Sequence, residues 1–425
     1  MKNILSIILF IIALPINITS TLASDEVNVY SARKEHLIKP LINDFEIQTG
    51  IKVNILSAKS KVLIKKLLDE GSSTPADLLI TVDAGNLYNA KEKGLSKSVD
   101  SKKLNKLVPE HLRDIDNHWF GLSIRSRVIM YNPKKINEAD IQNYEDLISG
   151  EFINRICIRS SSNIYNQSLL ASMIHHNGIQ DAKKWARGIV NNFSRPPKGN
   201  DRSQMTAVVL GKCDVTLANT YYLGKWMTSK NESEREYAKK IKVKFPNQSG
   251  RGAHINISGA MVLKYAKNTD NAIKFLEYLV SNKAQKIYAK KNHEYPIRPN
   301  IEVSNIVKSW GYPFKMDKMN LTILGRLNNE AGKTFDKVGR RCTIILQLGL
   351  SQPSDNTPTE IKDSISPFSC FSNITNLSFI GVFAVINSTF KSYFKTCLLV
   401  SSATRTSGQN QADIGFPLIF FLCTI

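Results

Sequence analysis

The chain predicts an α/β fold with a mostly parallel sheet flanked by helices. Short apolar runs of period two alternate with helical stripes, and glycine or proline marks the junctions. Val27, Val29 and Ser31 form the first short strand. Leu37, Leu41 and Phe45, with Ile38 and Ile42 beside them, make a helical stripe that stops at Gly50. Ile51, Val53 and Ile55 alternate again, and Leu78, Leu79, Ile80 and Val82 follow Pro75 as a buried strand. Trp119 to Tyr131 and His254 to Leu263 both read as strands, and Val215 with Leu217 as a shorter one. The later helices have no firm assignment from pattern alone, and no internal repeat is apparent.

At 425 residues the chain has room for two or three average domains. Lys2, the apolar stretch Ile4 to Ile16 and the small residues Thr21-Leu22-Ala23 read as a signal peptide over residues 1–23. That apolar stretch is shorter than the roughly 20 residues of a membrane span, and an uncleaved anchor is the alternative. A signal peptide places the mature protein in the periplasm. The net charge of +21 would suggest nucleic acid in a cytosolic protein, but export argues against it and no nucleic-acid motif is present. From Cys342 onward, four Lys/Arg face four Asp/Glu, so the excess belongs to the body. A basic body concentrates anionic ligands near it, and a solvated surface without a specific partner is the blander reading.

Six cysteines divide into Cys157 and Cys213 in the body and Cys342, Cys370, Cys397 and Cys423 in the last stretch. In an oxidising compartment a Cys157 to Cys213 disulfide is expected, with two buried free thiols as the alternative. No zinc-type spacing occurs.

Three tyrosines carry the chemistry. Tyr165 follows the capping residues Ser162 and Asn163 and precedes the apolar Leu169, Leu170, Met173 and Ile174. Tyr221 and Tyr222 follow Asn219-Thr220 at the end of the strand holding Val215 and Leu217. Each group therefore opens a helix. Adjacent side chains diverge by roughly 100° in a helix and 180° in a strand, so two neighbouring phenols converge only at such a strand-to-helix corner. A helix N-terminus favours negative charge, which eases ionisation of a phenol. Phenolates are hard anionic donors suited to Fe(III).

The surroundings of these tyrosines resemble the periplasmic ferric-iron-binding proteins that feed ABC importers. The resemblance runs through Val27-Asn28-Val29-Tyr30-Ser31-Ala32-Arg33, Pro75 to Leu87, Trp119-Phe120-Gly121-Leu122-Ser123-Ile124-Arg125-Ser126-Arg127-Val128, both tyrosine segments and His293-Glu294-Tyr295-Pro296. It extends from about Val27 to Arg341. It implies a type II periplasmic binding protein fold of two hinge-linked lobes, each with a central mixed sheet flanked by helices. Lobe one would hold residues 24–122 and 257–300, and lobe two 123–256 and 301–341. Residues 342–425 fall outside the resemblance and read as a disordered extension, with a small appended interaction domain as the alternative.

The resemblance implies Tyr165, Tyr221 and Tyr222 as metal ligands and Arg125 as holder of a synergistic anion, typically carbonate, with Arg33 as a weaker candidate. Structural ion pairs are the competing role for both arginines. The family commonly adds a His and a Tyr directly after the Tyr-Ser-x-Arg segment; here those positions are Lys34 and Glu35. Glu35 or His36 would supply a further ligand on lobe closure, or face solvent. His175-His176 reads as a solvated helix end, and His254 and His293 as hydrogen-bonded core residues. The partner implied is an ABC permease, and the protein itself a monomer and not an enzyme. Two alternatives remain: a binding protein for an oxyanion or small organic anion, and a secreted iron-tyrosinate hydrolase, for which no second set of metal-binding carboxylates and histidines is visible.

Overall fold

The computed structural model describes residues 25–347 and three short strands beyond them, Val382–Phe383, Thr396–Val400 and Phe421–Thr424. The signal-peptide segment lies outside the described residues. The chain divides into two compact units. One runs up to Arg125 and takes in Asn256–Lys308 and Met319–Thr322; the other holds Ser126–Ile255, Ser309–Lys318 and the chain from Ile323. Residues 301–308 thus lie in the first unit, whereas the sequence reading assigns them to lobe two.

In the first unit β1 (Glu26–Ser31) pairs in parallel with β2 (Lys52–Ser57) on one side and β3 (Leu78–Val82) on the other. Strand β4 (Phe120–Tyr131) begins in this unit and ends in the second. Strand β8 (Ile255–Val262) runs antiparallel to β3, with Leu78 opposite Val262 and Val82 opposite Ser258. The expectation of a mostly parallel sheet holds for β1 to β3, and the returning strand makes the sheet mixed. Every residue of β4 and β8 is buried, so neither alternates. Gly259 is required there: a Cβ would lie 2.5 Å from Leu87 Cδ1 and 2.9 Å from the Phe120 carbonyl oxygen.

The first helix, Glu35–Thr49, ends where the sequence predicts, at Gly50 with φ 71°. Its buried face is Ile38, Leu41, Ile42 and Phe45, with Leu37 only half-buried. Phe45 packs against Phe275 with ring centroids 4.8 Å apart, bringing helix Thr269–Leu279 onto the same core. Burying side chains of this size contributes about 1.5–3 kcal/mol each.

In the second unit β6 (Val215–Asn219) pairs antiparallel with the end of β4 and parallel with the short β5 (Ile156–Cys157). Strand β7 (Lys242–Lys244) pairs antiparallel with β4. The helix that opens at Tyr165 spans Ile164–Asn191 and kinks at Gly178, whose φ of 78° and ψ of 165° are not helical. Beyond Gly178 the helix resumes, because the second half buries Trp185 and Ile189. Helix Thr322–Gln347 carries through Arg341, where the sequence reading placed the end of the body. Among the described residues of the tail, the three short strands pair antiparallel with Thr396–Val400 in the middle. No helix among the described residues is long and apolar enough to cross a membrane.

Candidate metal centre

Tyr165, Tyr221 and Tyr222 all belong to the second unit. Asn163 caps the helix that carries Tyr165, its Oδ1 accepting from the Tyr165 backbone N–H at 3.1 Å. Tyr221 and Tyr222 are the first two residues of helix Tyr221–Met227, directly beyond β6, with the intervening Thr220 already helical at φ −53° and ψ −40°. The two rings lie with centroids 4.3 Å apart and planes at 37°. The Tyr221 side chain favours the ionised form of Tyr222, and Tyr165 is close enough to Tyr222 to act on its ionisation.

Two cations attend these rings. The Arg159 guanidinium carbon lies 5.7 Å from the Tyr165 ring centre, and Lys225 Nζ lies 5.1 Å from that of Tyr221. Arg159 Nη1 also reaches Asp201 Oδ1 at 3.5 Å, while Asp201 Oδ2 pairs with Arg127 Nη1 at 3.3 Å. Burial, then Tyr165 and Asp201, push the Tyr222 phenol up, against the pull of Tyr221 and Arg159. The result is a pKa of about 12. This corrects the expectation that the helix N-terminus eases ionisation: for Tyr222, desolvation outweighs it. Tyr222 is therefore a neutral phenol at pH 7. Directly before the pair, the buried Asn219 Nδ2 and Thr220 Oγ1 have no hydrogen-bond partner among the described residues.

Cys157 and Cys213 form a disulfide with Cα atoms 5.8 Å apart. Cys157 ends β5 and Cys213 lies two residues before β6, so the bridge joins the strands that lead to the two tyrosine segments.

Arg33 and Arg125 belong to the first unit, where both grip one internal carboxylate. Arg33 Nη1 and Nη2 reach Glu294 Oε2 and Oε1 at 3.1 and 3.2 Å, and Arg125 Nη2 reaches Oε1 at 3.3 Å. Ser123 donates to Glu294, and Ser258 accepts from both arginines. Burial alone would raise the Glu294 carboxyl; Arg33 and Arg125 pull it down to about 2. The expectation that these arginines hold an outside anion meets a resident one. Glu294 is one residue whose role the sequence does not reveal, although it lies in the His293-Glu294-Tyr295-Pro296 segment that carries the resemblance.

Glu35 and His36 are exposed at the start of helix Glu35–Thr49, also in the first unit. His176 is not a free helix end: its Nε2 meets Asp317 Oδ2 at 2.8 Å. His254 is buried, and its pKa is held down to about 3 chiefly by that burial, consistent with a core role. Among the described residues no group of three or more His, Cys, Asp or Glu is arranged to hold a metal ion. Arg127, Arg159, Asn166 and Asp201 complete the surroundings of the tyrosines and were not read as site residues. Arg127 lies in the Trp119–Val128 segment that carries the resemblance; Asp201, thirty-six residues past Tyr165, carries no local signal.

Residues 73–315 match the family described as bacterial extracellular solute-binding protein. Iron uptake protein A1 of Synechocystis sp. is 43% identical over 314 residues, 74% of this chain and 87% of that protein. The major ferric iron-binding protein of Neisseria meningitidis is 29% identical over 291 residues, 66% of this chain and 84% of that one. Among solved structures, Trichodesmium FutA in complex with iron and citrate is 46% identical, with a TM-score of 0.72 over 74% of this chain and 99% of its own. The ferric binding protein from Campylobacter jejuni is 43% identical, with a TM-score of 0.70 over the same shares. These neighbours share an α/β, type II periplasmic binding protein fold with this chain.

Proposed function

The chain belongs to the bacterial extracellular solute-binding protein family, and on that premise we propose that it captures ferric iron in the periplasm and delivers it to an ABC permease. Members of this family are transport proteins and not enzymes. The observation that carries the reading is the grouping of three phenols in one unit: Tyr221 and Tyr222 at 4.3 Å, with Tyr165 acting on Tyr222. Relatives bearing the names iron uptake protein and ferric iron-binding protein support the choice of cargo.

The chemistry follows from charge. Three phenolates neutralise Fe(III), and hard anionic oxygen suits a hard trivalent ion. The phenols ionise as the metal arrives, so loading releases protons. Arg159 and Lys225 then face phenolates rather than phenols, which strengthens both contacts. A synergistic anion, carbonate or a carboxylate such as the citrate of the Trichodesmium complex, completes the coordination. Arg125 and Arg33 are engaged by Glu294 within the first unit.

The test is the visible spectrum of the purified protein with ferric citrate. A phenolate-to-iron charge-transfer band is expected; a colourless protein that retains no iron overturns the proposal.

A further inference from the structure

The Arg125-Ser126-Arg127 segment contains two buried arginines, and the ferric reading uses only the first. Arg127 is buried in the second unit with its side chain 1% exposed. Its Nη2 donates to Asn166 Oδ1 at 2.6 Å and to the Leu217 carbonyl oxygen at 3.0 Å. Asn166 is the residue after Tyr165, and Leu217 lies four residues before Tyr221 in β6. One guanidinium nitrogen therefore ties the start of one tyrosine-bearing helix to the strand that delivers the other. We infer that Arg127 is a positioning residue for ferric capture, fixing Tyr165 relative to Tyr221 and Tyr222, with Asp201 as the carboxylate that keeps Arg127 in place.

The remaining contacts make the clamp specific. Asn166 Nδ2 donates to the Arg159 and Ser160 carbonyl oxygens at 2.8 and 3.2 Å, so the turn before Tyr165 is held by the same side chain that Arg127 grips. Asp201 is fully buried between Arg127 and Arg159, and Arg159 lies over the Tyr165 ring. The chain of contacts thus begins at β4, which carries Arg127, and returns to Tyr165 by two routes. A planar fork spans acceptors on two elements; a lysine ammonium at the same place is a shorter point charge and does not reproduce that geometry. Outer-sphere groups that orient metal ligands are worth about 10–100-fold in metal affinity.

This inference rests on the ferric reading, and the experiment separates the two. Full-length protein, Arg127→Lys and Asn166→Ala are each titrated with ferric citrate, with the charge-transfer band and circular dichroism recorded together. Arg127→Lys keeps a positive charge opposite Asp201; Asn166→Ala leaves that ion pair intact and removes the Arg127 link together with Asn166's own bonds to the Arg159 and Ser160 carbonyls, so it serves should the lysine variant not fold. The expected result is folded protein with affinity about 10–100-fold lower and a displaced or weakened band. Parent affinity in a folded variant, or weaker binding with an unchanged band, overturns the positioning role while leaving the ferric reading in place. Absence of the band from the parent overturns the ferric reading and this one with it.

Discussion

Tyr221 and Tyr222 are chain neighbours whose rings nonetheless lie 4.3 Å apart at centroid level, with planes 37° from one another. Side chains of successive helical residues point about 100° apart, so ordinary helix interior would separate the phenols. The pair opens the helix just beyond β6, one residue after the strand ends, with Thr220 between them and Asn219, and the two rings stay close in that first turn.

Tyr221→Phe and Tyr222→Phe each keep the ring packing and remove one anionic donor. Both variants are expected to fold with melting temperatures near the parent's. Ferric affinity should fall by more than the roughly 100-fold typical of an outer-sphere change. Competition titration against a ferric chelator, with the charge-transfer band as readout, checks this; undiminished affinity in both variants points instead to an oxyanion or small-organic-anion binding protein.

Acidification should release the metal. The Tyr222 phenol stands at about 12 in the metal-free protein, so at every pH below that value binding must expel its proton. Protons compete with iron, and affinity rises with pH and falls as pH drops. Each proton released per iron contributes about a tenfold change in apparent affinity per pH unit. Measuring ferric binding between pH 5 and pH 8 alongside proton release tests the sign, and a flat profile contradicts phenolate coordination.

The α/β pattern and the two tyrosine corners were legible in the sequence because each depends on local chemistry. Gly50 ends a helix, Asn163 caps one, and Val215 with Leu217 lead into Asn219-Thr220. What was not legible depends on partners far apart in the chain. Glu294 meets Arg33 across 261 residues, and Arg127 meets Asp201 across 74. Periodicity carries no trace of such pairs. The direction of β8 was hidden for a related reason: a strand buried on both faces shows no alternation, so its pattern does not tell parallel from antiparallel. The ionisation of Tyr222 was misjudged because a capping motif reveals the helix end but not how deeply the side chain is buried.

Glu294→Gln should destabilise the first unit. The substitution leaves two buried guanidinium groups facing a neutral amide, and breaking a buried ion pair from one side costs about 3–5 kcal/mol. The parent's acid dependence gives an independent measure. Its folded carboxyl stands at about 2 against 4.5 for the free group, so its contribution is present above the unfolded value and lost as pH falls from 4.5 towards 2. That loss is on the order of 3 kcal/mol. Thermal melts of parent and variant from pH 7 to pH 2 should start apart and converge as the parent's carboxylate is protonated; curves that coincide at pH 7 show that Glu294 contributes nothing net.

Reduction of the Cys157–Cys213 disulfide should act on stability and on the iron site together. The bond closes a loop with a sequence separation of 56, for which chain entropy gives about 4 kcal/mol of stabilisation. It also joins β5, which leads to Tyr165, to the chain just before β6, which ends at Asn219 before the tyrosine pair. Its removal frees those anchors in addition to enlarging the unfolded ensemble. The Cys157→Ser/Cys213→Ser variant is therefore expected to melt at lower temperature, and to bind ferric iron more weakly even well below its melting point. Thermal unfolding paired with ferric titration at low temperature separates the two effects. Lower stability with parent affinity assigns the disulfide to the fold alone, whereas loss of both shows that the bridge fixes the strands that lead to the tyrosine-bearing helices.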